Sequence, residues 1–260
     1  PRLLRARGYT AAVFHGNTGD YWNRRNAYRQ LGFDRLYFGE EYTGKASGFR
    51  SLDHLFFEQS MPRLQRLADG DRPFFAYLIT QSLHGPTSTG IKTAVNQRFT
   101  HADEQVLGYY MTANYVDWAL GRFVRALHER GILENTILVL YGDHSFGLQA
   151  DGYASNQGSH ERVPFIVVTP ARRQHRVGVY AGHLDVAPTI CDLLGLAPDD
   201  GWTGRSVLRW QPDRRLPLQF DGGVSIVTPS GASPPAVWHD PVYGRVVDYS
   251  ESHFYDVPMR

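Results

Sequence analysis

Three strand-like runs of apolar residues in this chain each end near a histidine, and one ends on an Asp-His pair. Asp143-His144 follows TILVLY, His15 follows YTAAVF, and His84 lies just past PFFAYLIT. A carboxylate beside an imidazole is an ordinary donor set for divalent Zn or Mn. Imidazoles in such places also shuttle protons or bind an anionic oxygen. A lone Asp-His pair is more often a turn in which the Asp caps the next segment. The uninterrupted apolar strand before it and the two other strand ends favour a site, although eleven histidines leave room for coincidence. The segment HGNTGDYWNR adds Trp22 and Arg24. A guanidinium suits bidentate phosphate or sulfate recognition, and an indole gives an apolar wall beside it. Spacing alone is equally compatible with Trp22 in the core and Arg24 on an exposed helix face.

Bringing these groups to one edge requires strands that end together. Residues 9–14, 73–80, 136–141 and 163–169 read as strands, and 20–31, 52–68, 102–130 and 184–194 as helices. Gly32, Gly131 and Gly195 are the stops, and Pro62 should kink or split the second helix. TILVLY shows no polar alternation, as expected of a strand covered on both faces. Strand, crossover helix and strand in repetition indicate an α/β doubly wound, mainly parallel sheet, which binds ligands outside the carboxyl ends of its strands. Residues 81–99, rich in Gly, Ser, Thr and Pro, form a long connection of the kind that lines a site. From Leu216 onward LPLQF, VSIVT, YGRVVDY and HFYDV are separated by Gly, Pro and Ser, which reads as a small antiparallel sheet. The expected division is an α/β domain over 1–212 and a β-rich subdomain over 213–260.

Composition narrows the classes. The 260 residues carry 27 Lys+Arg against 26 Asp+Glu, a net charge of +1 that gives no support to a nucleic-acid partner. At 42% hydrophobic and 20% charged, the chain is neither disordered nor fibrous. Its one cysteine, Cys191, excludes a disulfide framework and reads as core on the 184–194 helix. No apolar run reaches membrane-spanning length, and PRLLRAR is too charged for a signal-peptide core.

The blocks AAVFHGNTGDYWNRRNAYRQLGFDRLY, TQSLHGP, LVLYGDHS, SHERVPFIVVTP and GHLDVAPTICDLLGL resemble, in order and separation, the lipoteichoic acid synthase branch of the sulfatase/alkaline phosphatase superfamily. The resemblance covers about residues 9 to 200; the HG…WNR block is specific to that branch. It implies a metal-dependent phosphoglycerol transferase in which a threonine attacks phosphatidylglycerol and forms a glycerophospho-enzyme. One divalent cation, Mn first with Mg or Zn as alternatives, is expected on Asp143 and His144. His15, Asn17, Trp22 and Arg24 match substrate-binding positions, and His84 matches an active-site histidine facing the substrate. His160, in GSHERVP, is a candidate for an additional metal or substrate histidine, and His183 is expected to serve a polar or packing role at a helix start.

Two departures stand out. The family usually has Asp where this chain has Asn17, which weakens the carry-over of glycerol hydroxyl recognition. The first acidic ligand and the nucleophilic threonine should precede His15 by a considerable stretch, and none of the fourteen residues there is a candidate. The expectation is therefore an N-terminally truncated chain without turnover of its own, cut from a membrane-anchored parent on the extracytoplasmic face. Its expected partners are a phospholipid headgroup and a glycan or polyol-phosphate acceptor. Arg-rich, Lys-poor composition points to a high-GC organism, so a periplasmic glucan competes with lipoteichoic acid as acceptor. A non-catalytic lipid-binding or regulatory member of the fold is the alternative. A sulfuric ester hydrolase is a third reading, disfavoured because Cys191 lies in no formylglycine context.

Overall fold

The computed structural model describes residues 1–48, 51–84, 99–101, 103–144, 163–171, 177 and 181–209, and short strands between 216 and 247. Two compact units are present, the first chiefly Pro1–Val139 and the second chiefly the residues from Leu140 onward.

In the first unit a short helix, α1 (Arg2–Ala6), leads into β1 (Thr10–His15). This strand lies between β2 (Arg35–Tyr37) and β3 (Phe74–Ile79) and pairs in parallel with both. Successive side chains of a strand face opposite ways, and both faces of β1 are covered. Ala12 and Phe14 pack with Phe56, Phe57 and Met61 of α3 (Asp53–Ala68) and with Tyr115 and Phe123 of α4 (Glu104–Glu129). Ala11 and Val13 meet Phe33, Phe38 and the Tyr28 and Leu31 side chains of α2 (Arg24–Leu31). Burial on two sides is why YTAAVF lacks polar alternation. Phe57 stacks on Phe123 at 4.3 Å between centroids, joining α3 to α4; truncating either ring would cost about 3–5 kcal/mol.

Several helix boundaries differ from the sequence reading. Pro62 does not split its helix, because α3 runs unbroken from Asp53 to Ala68. Phe56, Phe57, Met61 and Leu64, on both sides of the proline, are buried in one core, and this outweighs the roughly 3 kcal/mol a helix proline costs. The helix expected over 20–31 begins at Arg24; before it Tyr21–Asn23 form a 3-10 turn with Trp22 and Asn23 left-handed at φ 55° and 53°. Gly32 closes α2 at φ 98°, a conformation in which a side chain would be strained. Asp103 starts α4 by accepting the Gln105 and Val106 amides at 2.7 and 3.1 Å. β2, only three residues long, has too little sequence to show a period.

A separate ladder pairs β4 (Leu138–Tyr141) with β5 (Phe165–Val168). β4 is half-buried along its length, less covered than its composition implied.

In the second unit a turn at His183–Asp185 leads into α5 (Val186–Leu193), where Cys191 is buried. Asp185, also buried, accepts the amides of Gly182 and Arg205 on its two oxygens at 2.9 and 2.8 Å. β6 (Leu216–Phe220), β7 (Gly223–Thr228) and β8 (Gly231–Ala232) form an antiparallel sheet, and β9 (Trp238–His239) pairs antiparallel with β10 (Val246–Val247). The HFYDV segment lies outside the described residues. Parallel strands with helices on both faces, followed by small antiparallel pieces, match the architecture expected from the sequence.

Candidate active site

β1 and β3 run side by side with His15 opposite Ile79, so the residues beyond them emerge at the same carboxyl edge. His15 is only 4% exposed. Its Nδ1 lies 3.0 Å from the Ile79 carbonyl, and the Gln81 side-chain amide sits 3.4 Å from both ring nitrogens. Burial pushes His15 down to about 4; the Ile79 carbonyl pulls upward, and the Arg24 guanidinium adds to the depression. The imidazole is therefore neutral at pH 7, and the charge of Arg24 is near enough to act on it.

Gly16 must be glycine. A Cβ there would run into Ser51 Oγ and come within 2.8 Å of the Ala46 carbonyl. The Gly16 carbonyl accepts from Gly48 N at 2.8 Å, which ties the turn to the 44–48 loop. Asn17 is buried, its Oδ1 accepting the Thr18 amide at 2.8 Å and its carbonyl the Gly39 amide at 2.8 Å. Glu40 receives Thr18 Oγ1 and Gly19 N at 2.8 and 3.1 Å and pairs with Arg25 at 3.3 Å. These bonds fix the loop that carries the aromatic pair.

Trp22 is not in the core. It is 77% exposed and stacked with Tyr21 at 5.5 Å between centroids. The Arg24 guanidinium lies over both rings, at 5.1 Å from Tyr21 and 5.4 Å from Trp22. Its Nη1 donates to the Tyr21 carbonyl at 3.2 Å. Half-buried and aimed by its own loop, Arg24 presents a planar cation beside an aromatic platform.

His84 is exposed in the turn after β3, its amide donating to the Gln81 carbonyl at 2.9 Å. The structure thus places His15 and His84 at one sheet edge and Arg24 within electrostatic reach of His15. Asp143 and His144 follow β4 in the other ladder. Their side chains are 73% and 62% exposed, with His144 Nε2 3.7 Å from Asp143 Oδ2. They offer one carboxylate and one imidazole, donors of the right kind for a divalent cation but only two of its ligands. Among the described residues no group of three or more His, Cys, Asp or Glu is placed to hold a metal. His160 lies outside the described residues.

Two residues not expected in the site itself join the picture. His183 Nε2 lies 2.7 Å from the carbonyl of Gly142, and its ring meets Tyr141 edge-on, so it braces the turn that delivers Asp143. This is the polar and packing role expected of it at a helix start, directed at the turn before Asp143. Asp53, also at a helix start, is fully buried and binds the backbone just past β3: its Oδ1 accepts Gln81 N at 2.9 Å and Ser82 N at 3.2 Å. Only its proximity to Ser51 and to a helix start was visible in the chain order.

The sulfatase family profile matches residues 1–196. The chain belongs to the sulfatase family. Within that family it is similar to lipoteichoic acid synthase 1 of Bacillus subtilis, 32% identical over 205 residues, 73% of this chain and 31% of that protein. Lipoteichoic acid synthase 2 of the same organism is 30% identical over 268 residues, 96% of this chain and 40% of that protein. The sulfatase chain thus spans between 31% and 40% of these relatives' length. Among solved structures it is similar to the lipoteichoic acid synthase LtaP from Listeria monocytogenes, with a TM-score of 0.74 at 23% identity, covering 88% of this chain and 62% of that one. An alkaline phosphatase superfamily protein from Vibrio parahaemolyticus gives 0.71 at 21% identity, covering 87% and 55%. These likenesses establish the alkaline-phosphatase-like fold. Among the described residues no helix of the sulfatase chain is long and apolar enough to cross a membrane.

Proposed function

We propose that this chain carries the site of an enzyme that moves a phosphoglycerol group from a phospholipid such as phosphatidylglycerol to a cell-envelope glycan or polyol-phosphate acceptor, or to water. The observation that carries the reading is a buried, neutral His15 beside a guanidinium laid over two exposed aromatic rings. The similarity to lipoteichoic acid synthases supports the substrate class.

Each group has a part that follows from its chemistry. The Ile79 carbonyl can only accept, so His15 Nδ1 carries the proton and Nε2 offers a lone pair. That nitrogen accepts from a hydroxyl, and the hydroxyls of glycerol are its natural partners. Arg24 takes the phosphoryl oxygens, and Tyr21 and Trp22 shield one side of the bound group from water. His84, exposed at the same edge, moves the proton of the leaving or incoming alcohol. Asp143 and His144 would hold the divalent cation, manganese first, with magnesium or zinc as alternatives. When bound, the ion supplies Lewis-acid stabilisation of charge on a phosphoryl oxygen. The site operates on the extracytoplasmic face of the membrane or in the periplasm, within a membrane-anchored protein.

Titrating glycerol 1-phosphate into the 260-residue chain by calorimetry tests this reading. Binding is expected, with Arg24→Ala weakening it about tenfold, the equivalent of one charge-assisted contact. No binding, or equal binding by Arg24→Ala and His15→Gln, would sink it.

A further inference from the structure

A carboxylate at a helix start is usually a cap, and two buried ones among the described residues, Asp53 and Asp185, can be compared directly. Asp185 satisfies both oxygens with backbone amides. Asp53 does not: Oδ1 takes the amides of Gln81 and Ser82, while Oδ2 is buried with no hydrogen-bonding partner among the described residues. Leaving a buried carboxyl oxygen unpaired costs on the order of 1–3 kcal/mol, and an arrangement serving stability alone would not keep it. Such local violations collect where function sets the geometry.

What Asp53 holds is the segment that links the two histidines of the sheet edge. Gln81, clamped through its N–H, lays its side-chain amide against the His15 ring and offers its carbonyl to the His84 amide. Ser82, clamped through its N–H, returns its Oγ to the Asp53 amide at 3.1 Å. Behind them Tyr115 Oη meets His54 Nδ1 at 2.8 Å and accepts the His54 amide at 3.2 Å, so a part-buried polar contact joins the start of α3, next to the clamp, to α4. Each bond is local, yet together they register the turn of His84 to the ring of His15.

We propose that Asp53 is a positioning residue of this site: its carboxyl clamps the Gln81–Ser82 backbone and so fixes where His84 and the Gln81 amide stand toward a bound phosphoester. The proposal rests on the function proposed above for what binds there, and on the geometry alone for the clamp. Burial, which raises the Asp53 carboxyl to about 6, leaves it an acceptor whose strength is sensitive to its surroundings.

The test uses the full chain with two variants and three readouts. Asp53→Ala is expected to speed amide exchange at Gln81 and Ser82 at least tenfold, to move the His15 and His84 ring resonances, and to raise the Kd for glycerol 1-phosphate about tenfold. Asp53→Asn keeps an oxygen acceptor of reduced strength and is expected to recover most of the loss, leaving a two- to threefold weaker Kd with small movements of the same resonances. Unmoved ring resonances and an unchanged Kd in Asp53→Ala, despite faster exchange, would show a structural cap only and overturn the proposal. Should Asp53→Ala not fold, Asp53→Asn decides by the same criterion: shifted His84 resonances support the clamp, and unchanged ones overturn it. If the unaltered chain does not bind glycerol 1-phosphate, the function fails, and the His15 and His84 resonances of the variants decide the positioning role independently.

Discussion

His15 ends β1 with its ring enclosed and fastened to the Ile79 carbonyl, whereas Asp143 and His144 follow β4 with most of each side chain in solvent. Both places sit just past hydrophobic strands, and both are made of residue types suited to metals or anions. The first derives its geometry from folding energy: burial, a depressed imidazole and a glycine turn packed on its neighbours all specify it before any ligand arrives. The second, among the described residues, is held through Gly142, whose amide donates to Pro164 at 3.2 Å and whose carbonyl meets His183. Damage to the first should therefore appear in stability and binding together. Damage to the second should appear in ion binding while the fold stands.

The largest expected effect tests the exposed side. In catalytically competent protein, His144→Ala or Asp143→Asn should abolish detectable manganese binding, read by electron paramagnetic resonance. The melting temperature should move by no more than about 2 °C, because exposed substitutions rarely exceed 0.5 kcal/mol. Stoichiometric metal in either variant breaks the contrast.

Next comes a pH effect on the enclosed side. His15 stays neutral in the fold down to about 4, while unfolded histidine takes its proton near 6.5. Its contribution to stability is full above 6.5 and is lost as pH falls toward 4, in total about 3 kcal/mol. Asp53 has the opposite sign, since its carboxyl keeps a proton up to about 6 in the fold and only to 3.8 when unfolded. Its contribution is full below 3.8 and is lost as pH rises through 6, again about 3 kcal/mol. The two offset each other across the same window. Urea unfolding of Asp53→Asn should therefore reveal a loss of stability on acidification relative to the unaltered chain. Parallel stability profiles for the two proteins would remove His15 and Asp53 as opposing titrations.

A smaller effect separates charge from shape at Arg24. Arg24→Lys keeps the cation but loses the flat face over Tyr21 and Trp22, and glycerol 1-phosphate binding should weaken three- to tenfold. Full affinity in the lysine variant would reduce the aromatic platform to a bystander. The smallest concerns His183: His183→Phe keeps an aromatic ring beside Tyr141 but no donor for Gly142, and should cost about 1 kcal/mol in thermal unfolding. It should also weaken manganese binding severalfold in protein that binds it, linking the exposed pair to the His183 brace.

Much of the frame was readable in residue order because β-branched and aromatic runs alternate with amphipathic stretches. YTAAVF, PFFAYLIT, TILVLY and VPFIVVT all contain strands, and α4 and α5 fall within a residue or two of their glycine stops. β2 escaped for lack of length, and Pro62 misled because tertiary packing of α3 overrides a local penalty. The enclosed site was legible as residue types and blocks, but not as geometry. Nothing in HGNTGDYWNR announces that Trp22 turns outward on a left-handed backbone. Asp53 and His183 act across 28 and 41 residues of sequence, and neither spacing forms a local pattern.

The outward Trp22 has a practical consequence. An indole standing in solvent beneath a guanidinium is a fluorophore mounted at the place proposed for the phosphoryl group. An anion that draws Arg24 from the rings changes the electric field along the indole. Its emission colour then reports occupancy without an attached label.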